Sequence, residues 1–352
     1  MSPSPLTTAH RVLLLMQGGL SGEGGKTGLA LLRYRAEQVV AVVDAQHSGE
    51  SLAAVTGIPH PAPIVESVQA ALAFRPEVMV IGIAPSGGVL PDDWHTDLKT
   101  GLAAGLSLVN GLHAPLSRDP QWRQWLRPGQ WIWDVRQEPP GLGVGTAAAA
   151  DLPCTRILTV GTDMAVGKMS TSLELHALAR QQGLRSAFVA TGQTGLMISG
   201  FGIPLDAVRV DYASGAVEQA VLQASQDHDL IHIEGQGSLF HPASTATLPL
   251  LRGGQPTHLI VVHRYGQTQV RGVSPARIPP LPAAIALYEA LAAASCSFTA
   301  AKVVGIALNT KHLSPSAAQA AIEQTQAETG LPCIDPIRFG AAPLLAAILT
   351  DG

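Results

Sequence analysis

The segment "GTDMAVGKMST" (Gly161–Thr171) decides how the second half of the chain is read. It follows the apolar run "RILTV" (156–160) and leads into a helix-like stretch. Glycines let backbone N–H groups close around a phosphate, and the start of the next helix adds a positive dipole end. Lys168 adds a point charge. The spacing from Gly161 to Gly167-Lys168 is one residue longer than in the usual G-x-x-x-x-G-K-[ST] loop. Met169 stands where a hydroxyl ordinarily holds Mg²⁺, with Ser170 and Thr171 the nearest hydroxyls. The segment reads as a phosphate-binding loop built from Gly161, Thr162, Asp163, Gly167, Lys168, Ser170 and Thr171.

Around this loop the chain alternates strand-like and helix-like runs. From residue 155 the strand candidates are "TRILTV", "SAFVAT", "DLIHIEG", "HLIVVH" and "KVVGIALNT". Before it they are "RVLLLM", "VVAVVD", "EVMVIGIA" (followed by "PSGG"), "LSLVNGLH" and "QWIWDV". The helix candidates between these are "LALLRYRAEQ", "VESVQAALAF", "DLKTGLAAG" and "DPQWRQWL". Such alternation predicts parallel sheets with helices on both faces. "QEPPGLGVGTAAAADLP" interrupts the pattern with Pro, Gly and Ala. The expected organisation is a Rossmann-like domain at 1–138, a linker at 139–153 and a P-loop-containing α/β domain at 154–352. "GLSGEGGKT" (Gly19–Thr27) repeats the G-x5-G-K spacing of the later loop.

Composition fits this reading. In 352 residues, 46% are apolar and 14% charged, with 36 Gly and 26 Pro, which suits α/β folding with Gly-rich loops and not a disordered chain. A net charge of −4 without Lys/Arg-rich runs argues against nucleic-acid binding. No long apolar window or signal-like start is present, so no membrane partner is expected. Cys154, Cys296 and Cys333 are odd in number and widely spaced, so a reducing cytoplasm is the expected location. A surface this rich in neutral residues leads us to expect a homo-oligomer.

Chemistry-bearing residues sit at the expected strand ends, where open α/β sheets bind ligands. In "DLIHIEGQGSLFHPA" the strand delivers Glu234, a candidate general base or Mg²⁺ ligand, with His241 seven residues on. His228 and His232 lie close to Glu234 but read as core or loop histidines. "VVHRYGQTQVRG" supplies His263 as a second candidate base, and Arg264 and Arg271 as candidate carboxylate clamps. "ATGQTG" offers Thr191, Gln193 and Thr194 as neutral contacts to a polar small-molecule substrate. Asn309, ending "GIALN", is placed to read a purine base. Asp44 follows the first Gly-rich loop at dinucleotide-like spacing, but that loop lacks G-x-G-x-x-G.

"GTDMAVGK", "IEGQGSL" and "GIALNT", in that order, resemble the P-loop fold of dethiobiotin-synthetase-type enzymes, which explains the longer spacing. Met169 departs from that pattern, which has threonine there. The whole chain resembles a narrower family, long carried as a domain of unknown function. The motifs are "GGKTG", "IGIAPSGG", "GTDMAVGKMST", "ATGQTGLMISGFGIP", "VDYASGAVEQ", "EGQGSLFHPA" and "HRYGQT". Characterised members of that family are D-glutamate N-acetyltransferases. The resemblance implies acetyl-CoA as co-substrate, its phosphates in the loop, and an acidic amino acid as acceptor. Catalysis would then fall to Glu234 or His263 as base and Arg264 as clamp. The competing expectation is an ATP- and Mg²⁺-dependent ligase or kinase. A nucleotide or CoA sensor without turnover and a dehydrogenase are further alternatives.

Overall fold

The computed structural model describes residues 4–83, 90, 94–273 and 275–350. It divides into two compact units, one of Met1–Glu138 with Leu196–Gly200 and the other of Pro139–Gly195 with Phe201–Gly352. Each unit holds one six-stranded, wholly parallel sheet.

The first sheet contains β1 (Val12–Leu15), β2 (Val39–Val43), β3 (Ile64–Val65), β4 (Val78–Ile81), β5 (Ser107–Asn110) and β6 (Ile132–Asp134). Their order, β3-β2-β1-β4-β5-β6, is the doubly wound dinucleotide-fold order. Strands covered on both faces read as continuous apolar runs, and "VLLL" and "VMVI" are buried throughout. Leu13, Leu15, Met79, Ile81 and Leu108 form the centre of this core.

Three sequence expectations change here. Val65 ends a two-residue edge strand, not the start of a helix; Ser67 then caps a helix limited to Val68–Ala71. "DPQWRQWL" forms only the single turn Pro120–Arg123, capped by Asp119. The helix expected at "LALLRYRAEQ" starts earlier and covers Lys26–Tyr34, with a separate 3-10 turn at Ala36–Gln38. "PSGG" (85–88), which follows β4, lies outside the described residues.

The second sheet contains β7 (Thr155–Gly161), β8 (Ser186–Val189), β9 (Leu230–Ile233), β10 (His258–Arg264), β11 (Lys302–Asn309) and β12 (Cys333–Ile334). The order is β12-β11-β10-β7-β9-β8. The chain leaves β7 toward β8 and β9 on one side and later returns to β10 on the other. The carboxyl end of β7 is therefore the topological switch point, where ligands of such sheets sit. The edge strand β12 has two residues, too short for periodicity to reveal.

Within this unit, residues 139–147 are irregular but fastened. The Glu218 carboxylate, buried on helix Ala213–Ala224, accepts from Thr146 N (2.6 Å), Thr146 Oγ1 (2.8 Å) and Ala148 N (2.6 Å). Hydrogen bonds to a charged group contribute about 1.5–3 kcal/mol each, without simple additivity. Glu218→Ala is expected to lower the unfolding free energy by about 3 kcal/mol, on the same basis. Urea unfolding measures this, and a loss below about 1 kcal/mol would show that the carboxylate does not anchor the segment. No helix among the described residues is long and apolar enough to cross a membrane.

Candidate functional site

The loop after β7 is held open by bonds from four directions. Buried Tyr288 donates its hydroxyl to Gly161 O (2.8 Å). Thr162 N donates to Val262 O (3.1 Å), and its hydroxyl pairs with His263 Nδ1 (2.8 Å). The Asp163 carboxylate accepts from Met164 N, from the Gln267 amide (2.6 Å) and from Arg271 N (2.8 Å). Arg264 donates to Ala165 O (3.2 Å), and the Asn309 amide donates to Val166 O (2.9 Å). Ala165 and Gly167 both take positive φ, at 54° and 123°. Positive φ at these two positions makes the tight backbone turn on which phosphate loops depend.

Lys168 opens helix Lys168–Gln181 and is buried. Its Nζ donates to Asp163 O (2.8 Å) across the loop. Burial lowers its pKa to about 8, opposed by the charges of Asp163 and Glu234. Two glycines make room for the stem. A Cβ on Gly161 would lie 3.1 Å from Lys168 Nζ. One on Gly235 would lie 1.7 Å from Thr159 O and 2.9 Å from Lys168 Cδ.

Glu234 is the first residue beyond β9, buried beside that lysine. Its Oε2 accepts from Thr191 N (2.8 Å) and Gly192 N (3.2 Å), while Thr191 Oγ1 donates to Glu234 O (2.7 Å). Burial raises its pKa to about 7, against the two N–H groups and Lys168, which pull it down. A Cβ on Gly195 would sit 2.3 Å from Oε2, so a side chain there would displace the carboxylate.

The fold thus brings Gly161–Lys168, Thr191 and Glu234 to one place. Gln193 and Thr194 are buried just after Thr191, in the first turn of helix Gln193–Ser199. Thr171 is buried and its N–H closes on Gly167 O (2.9 Å), whereas Ser170 and Met169 are half-buried. His263 is driven down to about 4 by burial, which makes it a weak base near neutrality. The Asn309 amide braces the loop, donating to Val166 O and accepting from Lys311 N. His241 closes a local turn by accepting from Ala243 N (3.1 Å). His232 lies in the core with its pKa down to about 3, chiefly from burial. No group of three or more His, Cys, Asp or Glu among the described residues could hold a metal ion.

Sequence reasoning missed Tyr288, Gln267, Thr159 and Gly195. Tyr288 carried one signal, as the only hydroxyl in the apolar helix Leu281–Ala293. The other three carried none that spacing could isolate.

Comparison with known proteins matches residues 143–345 to the model "Domain of unknown function (DUF1611_C) P-loop domain". Residues 45–138 match "Domain of unknown function (DUF1611_N) Rossmann-like domain". A D-glutamate N-acetyltransferase of Tritonibacter scottomollicae is 38% identical over 285 residues, 80% of this chain and 84% of that protein. A second, from a Pseudoalteromonas species, is 36% identical over 272 residues, covering 77% and 80%. A DUF1611 family protein from Anabaena variabilis, known from a 2.30 Å crystal structure, is 58% identical with a TM-score of 0.94. That match covers 97% of this chain and 99% of the other.

Proposed function

The chain belongs to the DUF1611 family, and from that premise we propose that it is an N-acetyltransferase moving an acetyl group from acetyl-CoA to D-glutamate. One observation carries the chemistry. A buried carboxylate with its pKa near 7 stands beside a buried lysine at the mouth of a phosphate loop. Phosphate grip and candidate base are thereby neighbours, and the pantetheine arm would have to fold back over the loop to bring its thioester to Glu234. The acceptor and the acetyl group rest on the names of the two relatives, and acetyl-CoA as donor on the loop's suitability for CoA phosphates alone.

In this reading Lys168 and the loop N–H groups other than those of Thr162 and Met164, which are bonded within the protein, hold CoA phosphates. Glu234 takes a proton from the substrate ammonium. The freed amine attacks the thioester carbonyl carbon, and a C–N bond forms as the C–S bond breaks. The adduct nitrogen gives up its second proton, which the departing CoA thiolate takes. Phosphate gripping without phosphoryl transfer tolerates Met169 after the lysine, since no ion need bridge two phosphates. Arg264 and Arg271 flank the loop and are the cations to test for the substrate carboxylates.

Purified protein with acetyl-CoA and D-glutamate, without ATP or Mg²⁺, is expected to release thiol. L-Glutamate and amine-free controls define the background. Absence of thiol release, with ADP formed once ATP, Mg²⁺ and an amino acid are supplied, would overturn the proposal in favour of a ligase. Glu234 and Ser170 would then be the residues to hold the ion.

A further inference from the structure

The first unit carries a second constellation that the P-loop chemistry does not use. Ser21 lies in the Gly-rich loop after β1, and its Oγ is 3.0 Å from His47 Nε2. His47 Nδ1 is 3.0 Å from Glu50 Oε1. The two ring nitrogens are thus divided between a hydroxyl and a carboxylate, each on the side that nucleophilic serine catalysis requires. Glu50 can hold the tautomer in which Nδ1 carries the proton and Nε2 faces Ser21.

The fold sets up this alignment. β1 and β2 are neighbours, so their carboxyl-end loops lie side by side. Buried Asp44 ties them together: its Oδ2 accepts from Leu20 N (3.3 Å) and its Oδ1 from Gln46 N (3.1 Å). The bonded residues immediately precede Ser21 and His47. Asp44, the residue with dinucleotide-like spacing, is therefore committed to fixing the serine and histidine loops. Ser21 is exposed, open to an incoming ester or thioester. A cleft of about 380 Å³ borders the residues just before Ser21 and His47 on the same two loops; it is lined by Gln17, Gly18, Ala45, Gln46, Trp94 and Asp97, and not by Ser21, His47 or Glu50 themselves. Such a volume suits a small organic group.

We propose that Ser21, His47 and Glu50 form a nucleophilic serine centre that accepts acyl groups from small esters or thioesters. Ser21 Oγ attacks the carbonyl carbon and its proton passes to His47 Nε2. The C–S or C–O bond breaks, and the departing sulfur or oxygen takes that proton. Water then attacks the O-acyl serine with the same histidine as base, releasing a carboxylic acid. The centre needs no part of the transfer reaction above.

The test uses the full chain with a fluorophosphonate probe, in which an Oγ–P bond forms as fluoride leaves. The expected result is stoichiometric labelling of the Ser21 peptide, located by mass spectrometry and absent in Ser21→Ala. His47→Gln is expected to slow labelling by ~10²-fold or more, the ordinary worth of a general base. p-Nitrophenyl acetate should give a p-nitrophenolate burst that follows the same order of variants. Ser21 and Glu50 are exposed and His47 ends the short 3-10 turn Ala45–His47, and circular dichroism verifies that each variant is folded. An unlabelled Ser21 in folded wild-type protein, or labelling undiminished in His47→Gln, would overturn the proposal.

Discussion

Replacing Glu234 by Gln is expected to lower kcat about 10²–10⁴-fold while leaving the protein folded. Gln keeps an oxygen for the N–H groups of Thr191 and Gly192, so the turn that holds the side chain survives. What disappears is the ability to take a proton. The wild-type rate should rise with pH through about 7 as Glu234 ionises, and fall through about 8 as Lys168 loses its charge. The variant should lose the rising limb. Stability gives an independent reading. The pKa of Glu234 is raised on folding from 4.5 to about 7, so the folded state holds a proton the unfolded chain has released. Its contribution is fully present below pH 4.5 and is lost as pH rises through about 7. Glu234→Gln should therefore gain stability relative to wild type at pH 8, a difference that shrinks near pH 4. Thermal unfolding at the two values measures it. A variant with full kcat, or with an unchanged rising limb, would remove Glu234 as the base.

Much of this site was legible because its residues are tied to patterns. The loop 161–168 announces itself by glycine, lysine and a preceding strand, and Glu234 by its place where an apolar run stops. Their neighbourhood then follows from topology, since β7 and β9 are adjacent. Roles were less legible than places. Asn309 and Arg264 sit at strand ends as expected, yet both spend hydrogen bonds on loop carbonyls, Val166 and Ala165. A strand-end amide or guanidinium has the same sequence signature whether it meets a ligand or its own loop. His263 illustrates the point through burial. Its position suggested a base, while its surroundings disfavour the charged form. Long-range partners such as Tyr288 on Gly161, 127 residues apart, have no sequence spacing to betray them. The Ser21–His47–Glu50 alignment was hidden for the same reason. Ser21 and His47 are 26 residues apart and meet only because β1 and β2 pair.

Replacing Lys168 by Met is expected to raise the KM for acetyl-CoA at least about 30-fold, from the 2–5 kcal/mol lost when one partner of a buried charge pair is removed. Met keeps the unbranched stem that packs between Gly161 and Gly235, so the space those glycines leave stays filled. The ammonium is lost, and with it the bond to Asp163 O. Removing a desolvated charge offsets part of that loss, so unfolding should shift little. The discriminating substrate is a thioester without phosphates, acetyl-N-acetylcysteamine. If Lys168 grips CoA phosphates, wild type and variant should use this short donor equally well, and the gap between them should open only with acetyl-CoA. The same ratio should close above pH 8, where the wild-type lysine is itself neutral. An equal loss on both donors would assign Lys168 to the reacting centre or to loop integrity and separate the phosphate loop from CoA. Glu234 would then stand beside a lysine whose charge matters to the acceptor amine and not to the donor.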